Sequence, residues 1–247
     1  DFCRAHDAHL TCLHVTPYNA YVAFDPLGGV FTQGAVMDEL RKREEDQRAK
    51  FEAHMAHEDV RWDWAAADGD VVQLLTAWSA VADLVIVSQS VRGGHDKFAP
   101  LPIVDDLVVH AECPVLVVPA GVSSFATGPV VVGWNASAEA ANAIRHALPV
   151  LKAAPSVQIV TVGDDSPTFP QTAASTYLAR HGVTSELTTL AADGRKPSEV
   201  IMSFAKDCGA SLIIMGAYGR SRFRETLLGG VTRNLLGQAE IPLMLGR

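Results

Sequence analysis

The chain alternates short apolar runs with amphipathic stretches, and in residues 128–247 the rhythm is regular. Pro129-Val130-Val131-Val132-Gly133-Trp134 predicts a strand, and Ser137 to Leu148 predicts a helix with Ser137 as its N-cap. Val157 to Val162 predicts a second strand, and Ala173 to Arg180 a helix that stops at His181-Gly182. Val183 to Ala191 predicts a third strand, and Pro197 to Cys208 a helix with proline in its first turn. Ser211-Leu212-Ile213-Ile214-Met215 predicts a fourth, buried strand and Pro242 to Leu245 the last. Strands alternating with helices mean an α/β fold with a parallel, doubly wound sheet. Right-handed crossovers place the C-terminal ends of its strands on one rim, where ligands bind.

The same order recurs upstream. Ala82-Asp83-Leu84-Val85-Ile86-Val87 matches Ala210 to Met215, and Cys113-Pro114-Val115-Leu116-Val117 matches Ile241 to Leu245, both at an offset of 128 residues. Cys12-Leu13-His14-Val15 pairs with Ile159 to Val162, and Ala67-Asp68-Gly69 with Ala192-Asp193-Gly194. The pattern predicts two tandem copies, residues 1–120 and 128–247. The first copy reaches Val15 without the opening strand and most of the helix that precede Val162, so the natural protein is expected to start upstream of Asp1. The first copy also carries an insertion: 66 residues separate Val15 from Ala82, against 47 between Val162 and Ala210. Most of the excess falls in Pro17 to His57, which holds Gly28-Gly29 and a charged helix from Met37 to His57. Leu40, Phe51 and Met55 form that helix's expected apolar side. A solvated helix face is the plain reading; a lid or small-ligand pocket at Tyr18 to Phe31 is the alternative.

The chemistry concentrates after the fourth strand of the second copy. Gly216-Ala217-Tyr218-Gly219 follows that strand directly, and Gly229-Gly230 precedes Val231-Thr232-Arg233-Asn234-Leu235-Leu236, the expected start of a helix. A strand, a glycine-rich loop and a helix N-terminus form a common phosphate site, because glycine permits close backbone approach and the first helical N–H groups have no partner of their own. Ordinary loop glycines remain the other reading. Two more loops share the expected rim, Gly133-Trp134-Asn135-Ala136 and Val162-Gly163-Asp164. Asn135 is placed either to meet a base or ribose or simply to form a turn.

Composition narrows the partners. With 28 acidic and 20 basic residues the net charge is −8, against a general nucleic-acid or anionic-membrane binder. No apolar run approaches the roughly 20 residues of a membrane span. The four cysteines lack C-x-x-C spacing, and Cys12 and Cys113 read as buried free thiols, so the cytoplasm is the expected compartment. His54 and His57 have metal-pair spacing but no evident third ligand. No Walker-type or G-x-G-x-x-G loop and no catalytic constellation is present.

The order Val-Gly-Trp-Asn-Ala-Ser, then Val162, then Gly-x-x-Gly-x9-Gly-Gly-Val-Thr resembles the universal stress protein family in its tandem, two-domain form, over nearly the whole chain. The resemblance implies an open five-stranded, adenine nucleotide alpha hydrolase-like sheet whose last strand is used in dimer contacts. It implies binding of ATP or another adenine nucleotide, with magnesium as a possible companion, by members whose glycine signature is intact. Through it, Asn135 takes the place of the family's base- or ribose-binding Asp, and Val162 and Met215 line the adenine pocket. Gly216, Gly219, Gly229, Val231 and Thr232 cradle ribose and phosphates. Two departures stand out. Gly230 replaces the usual Ser or Thr, which removes one hydroxyl and costs about 0.5–1.5 kcal/mol; Thr232 offers a hydroxyl two residues on. Asn135 keeps an acceptor but loses charge assistance.

The first copy has Ser88, Gln89, Ser90 and Val91 where the second has Gly216 to Gly219, and Leu101-Pro102 where the second has Gly229-Gly230. No phosphate-bound nucleotide is expected there. Arg220, Arg222 and Arg224 follow the glycine loop, within reach of phosphate or of solvent alone. The expected function is a nucleotide-dependent regulatory switch in the stress response, at most a slow ATPase, acting as a homodimer on a protein partner. The alternative is an interaction module that works through its dimer surface without nucleotide.

Overall fold

The computed structural model describes the chain apart from residues 17–21, 25–29, 33, 90–102, 123–126, 165, 167 and 218–229. It divides into two compact units, Asp1–Trp78 and Ser79–Arg247. The boundary falls inside the first repeat copy.

The first unit holds the short helix α1 (Phe2–Ala5), strand β1 (His9–Thr16), the hairpin β2 (Val22–Phe24) and β3 (Val30–Thr32), helix α2 (Gly34–Met55), strand β4 (Arg61–Asp68) and helix α3, which begins at Val71 and ends at Ser79. β1 and β4 pair in parallel from His9–Arg61 to Thr16–Asp68. β4 and the first half of β1 alternate exposed and half-buried residues, as in a sheet with one covered face. α2 is the predicted charged helix, starting three residues earlier than the sequence suggests. Leu40 and Met55 are buried on it, and the Phe51 ring meets Trp62 edge-on at 5.3 Å and Trp64 at 5.5 Å. The predicted apolar side is thus what holds α2 to this aromatic cluster, while its charged residues form i, i+4 pairs such as Arg48–Glu52 in solvent. Most of the predicted lid or pocket at 18–31 lies outside the described residues.

The second unit is a seven-stranded sheet. Two strands come from the first repeat copy: β5 (Val85–Ser88) and β6 (Val115–Val118), with α4 (Val104–His110) before β6. The second copy adds β7 (Val130–Gly133), α5 (Ala138–His146), α6 (Leu148–Ala153), β8 (Val157–Val162), α7 (Gln171–Arg180), β9 (Glu186–Leu190), α8 (Pro197–Asp207), β10 (Leu212–Gly216), α9 (Gly230–Gln238) and β11 (Leu243–Gly246). Every element predicted for residues 128–247 is present within a few residues of its expected bounds. The strand order is β5-β6-β11-β10-β7-β8-β9, parallel throughout except where β6 meets β11. The central runs Val-Val-Val-Gly and Leu-Ile-Ile-Met-Gly are buried on both faces, as parallel strands between helical layers must be.

β11 therefore has both edges occupied inside one chain: β10 on one side and β6, antiparallel through Leu243–Val117 and Leu245–Val115, on the other. The last-strand contact that the resemblance assigns to a dimer joins the two repeat copies here. Among the described residues, the open edges of this sheet are β5 and β9.

Candidate functional site

Helix α5 explains much of the rim. Ser137 Oγ accepts a hydrogen bond from Ala140 N at 3.1 Å, the predicted N-cap. Ala140, Ala143, Ile144 and Ala147 are buried at helical spacing, so the face turned to the sheet is mostly alanine. Opposite it, a Cβ on Gly216 would lie 2.4 Å from Ala140 N, and one on Gly246 would lie 2.6 Å from Ala143 Cα. These two glycines, paired across β10 and β11, let α5 rest directly on the strands. Gly216 thus has a packing duty independent of any ligand. Gly133, by contrast, has ordinary contacts around a Cβ at 3.5 Å and beyond.

Sheet register brings together three of the predicted site positions. Gly133 at the end of β7 pairs with Met215 of β10 on one side and with Val160 of β8 on the other, two residues short of Val162. Met215 is buried and Val162 half-buried. Trp134 continues from Gly133 through a bond from its N–H to Val160 O at 2.8 Å, but its ring turns away from solvent at 4% exposure. It meets Phe169 at 4.9 Å, edge to face, with Nε1 donating to Phe169 O at 3.4 Å. Trp134 lines a cavity of about 440 Å³ with Phe169, Ile144, Arg145 and Tyr177 between α5 and α7; Asn135, Val162, Met215 and Gly216 do not line it. The Trp134 side chain belongs to that helix-layer cluster.

Asn135 is exposed, and its Oδ1 accepts from Ser137 N at 3.2 Å, the turn-forming role weighed above. The following Ala136 has φ 57°, a left-handed conformation unusual for a residue with a Cβ. The side-chain amide nitrogen of Asn135 stays on the exposed rim. Gly163, after Val162, has φ 85°, with nothing within 4 Å of a Cβ; backbone conformation is what selects glycine there.

β10 ends at Gly216 and α9 begins at Gly230. Gly219, Gly229, Arg220, Arg222 and Arg224 lie outside the described residues. Gly230, Val231 and Thr232 form the first turn of α9, the position where a helix's backbone N–H groups have no intrahelical acceptor. Thr232 is only 4% exposed. Its side chain is therefore largely withdrawn from solvent.

One polar group went unnoticed in the sequence. Ser198 Oγ, in the first turn of α8, is buried and has no hydrogen-bond partner among the described residues. It lies one turn ahead of Ile201, whose Cδ1 is 3.6 Å from the Cβ position of Gly133. Pro197-Ser198 reads as an ordinary helix start, so no sequence signal marks it.

In the first copy, Gln89 Nε2 donates to Leu236 O at 2.6 Å, so one of the residues replacing the glycine signature is spent on packing. No group of three or more metal-ligating side chains exists among the described residues. His54 faces solvent and pairs with Glu58 at 3.9 Å. No helix among them is long and apolar enough to cross a membrane.

Comparison with known proteins adds to this geometry. A universal stress protein of Methanocaldococcus jannaschii is 39% identical over 49 residues, which are 20% of this chain and only 30% of that relative's length. A crystal structure of a universal stress protein from Archaeoglobus fulgidus DSM 4304 superimposes with a TM-score of 0.73 at 15% identity, covering 99% of this chain and 90% of that one. A functionally unknown protein from Pseudomonas aeruginosa PAO1 gives 0.57 at 17% identity, over 96% and 82%. At such identities these two likenesses speak for the fold. The model of the Universal stress protein family matches twice, over residues 1–119 and 127–247, and between them the two matches span nearly the whole sequence. The chain belongs to the universal stress protein family, as two tandem domains.

Proposed function

We propose that the second domain, residues 128–247, binds ATP or another adenine nucleotide, and that occupancy biases the chain's conformation or choice of protein partner. The observation that carries this reading is the junction of β10 and α9: a central strand ends on the rim at Gly216, and a nine-residue helix begins at Gly230. A phosphate at the start of a helix meets N–H groups without intrahelical acceptors and the positive end of a helix dipole worth roughly half an elementary charge. Gly219 and Gly229 leave the connecting backbone free of Cβ atoms at two points. Val162 and Met215 supply apolar surface for a base, Gly133 an unobstructed floor, and the exposed amide of Asn135 a donor for base or ribose. The Ser198 hydroxyl, in the first turn of α8, is a further donor without a partner among the described residues. Gly230 weakens the site by about one hydrogen bond, 0.5–1.5 kcal/mol. Magnesium would come with the triphosphate, through phosphate oxygens and water.

Calorimetry with ATP and AMP on the intact chain and on Gly219→Val tests this. Binding near micromolar, about −8 kcal/mol, weakened at least tenfold in the variant, is the expected result. A folded intact chain that binds neither nucleotide overturns the proposal. The competing reading is an interaction module that works through its dimer surface without nucleotide; pairing through the last strand is closed to it, because β11 already pairs with β10 and β6.

A further inference from the structure

The cavity between α5 and α7 follows from where each helix rests. α5 packs on β10 and β11, where Gly216 and Gly246 admit it, and α7 packs on β8 and β9. β7 runs between those two pairs of strands, so the helices settle to either side of it. The flanks they turn to each other are small: Ala138 and Ala141 on α5, Ala173 and Ala174 on α7. Aromatic rings occupy part of the space, with buried Trp134 against Phe169 at 4.9 Å and Tyr177 on the α7 side. About 440 Å³ is left, a volume typical of small-ligand pockets, whereas packed interiors leave few voids larger than a water molecule. Phe169 and Arg145 are exposed, so the space reaches solvent.

One charged side chain lines it. Arg145 follows Ala141 by four residues and Ala138 by seven, on the same flank of α5. Its guanidinium donates to Asn142 Oδ1, and Asn142 Nδ2 donates to Arg247 O at 3.0 Å, so the group that orients Arg145 is itself anchored. No carboxylate pairs with Arg145 among the described residues, although the chain carries a net charge of −8.

We infer that this cavity is a second ligand site of the C-terminal domain, for a small planar aromatic carboxylate. Trp134, Phe169 and Tyr177 offer ring faces and edges to an aromatic body. Arg145 takes the carboxylate through its forked N–H donors. Three aromatic rings alone would also suit an ammonium group, but the Arg145 charge repels one. The inference does not rest on the nucleotide reading, since Asn135, Val162, Met215 and Gly216 do not line this cavity.

The probe is 2-naphthoate, read by nuclear magnetic resonance on the indole Nε1–H signal of Trp134 in the full chain, assigned by its loss in Trp134→Phe. A saturable shift with a Kd at or below about 1 mM is expected, while the signals of Trp62, Trp64 and Trp78 stay in place. Arg145→Gln, at an exposed position, is expected to weaken binding by about tenfold or more. The cationic counterpart, 2-naphthylmethylamine, is expected to bind the parent chain about tenfold more weakly or worse. Ala141→Leu fills the cavity and is expected to abolish the shift while the rest of the spectrum stays that of a folded chain. Saturating ATP is expected to leave naphthoate bound. No saturable shift, equal binding of the amine, binding indifferent to either substitution, or displacement by ATP would each overturn the inference.

Discussion

Ile214 and Ile86 are the same residue at the same point of two related strands, yet one is sealed in the sheet and the other faces solvent. The pair shows that a strand's sequence sets its propensity, while its neighbours set its burial. Everything on the shared side of β5 and β10 agrees, including the hydrogen bonds to the following strand. The domains part company on the opposite side and immediately after. There the second domain has Gly216 and Gly246 to admit α5, and the first has Ser88 and Val118. Side chains at those two positions bar a helix from the approach that α5 makes. Gly216 and Gly246 therefore give the second domain close packing under α5, and the first domain has neither glycine.

Substitutions sharpen this contrast. Ile214→Ala is expected to cost about 2–5 kcal/mol in urea unfolding, as for large-to-small changes in a sealed core, and Ile86→Ala under about 1 kcal/mol. Equal losses would break the comparison. Gly216→Ala forces a methyl group against the backbone of α5 and is expected to destabilise by about 1–3 kcal/mol, while Ser88→Ala stays within about 0.5 kcal/mol. A neutral Gly216→Ala would show that α5 yields freely and would leave ligand contact as that glycine's main role. The smallest effect concerns Cys113, which stands where the second domain has Ile241. Burial pushes its thiol up to about 11 from an ordinary 9.0, opposed by a hydrogen bond with Val85 and reinforced by the Asp83 charge. The folded chain thus holds this proton more tightly than the unfolded one. Its contribution to stability is complete below pH 9 and is lost as pH rises towards 11. Cys113→Val is expected to flatten that part of the stability profile, read by denaturation at pH 8 to 11, and an unchanged slope would count against a buried thiol.

The second domain was legible from sequence because its apolar runs and helix signals agree with its tertiary environment at every element. Ser137, Pro197 and the Val-Val-Val run each have a local meaning that the fold keeps. Three features were not legible. The joining of β6 to β11 depends on which edges meet, and an apolar run such as Val115 to Val118 carries no mark of its partner. The role of Trp134 was placed on the rim by its neighbours, whereas the ring's direction is set by the space between α5 and α7. Gly216 looked like a loop glycine, and only the position of Ala140 reveals it as a packing glycine as well. Asn135 had two readings, and the structure shows the turn while leaving its amide exposed.

The central claim is that one domain of the pair keeps a nucleotide site and the other does not. Photolabelling the full chain with 8-azido-ATP, followed by peptide mapping, addresses it directly. The account predicts one label per chain, displaced by ATP, on peptides from residues 128–247. ATP-displaceable label on residues 1–120, or none anywhere on a folded chain, would contradict it.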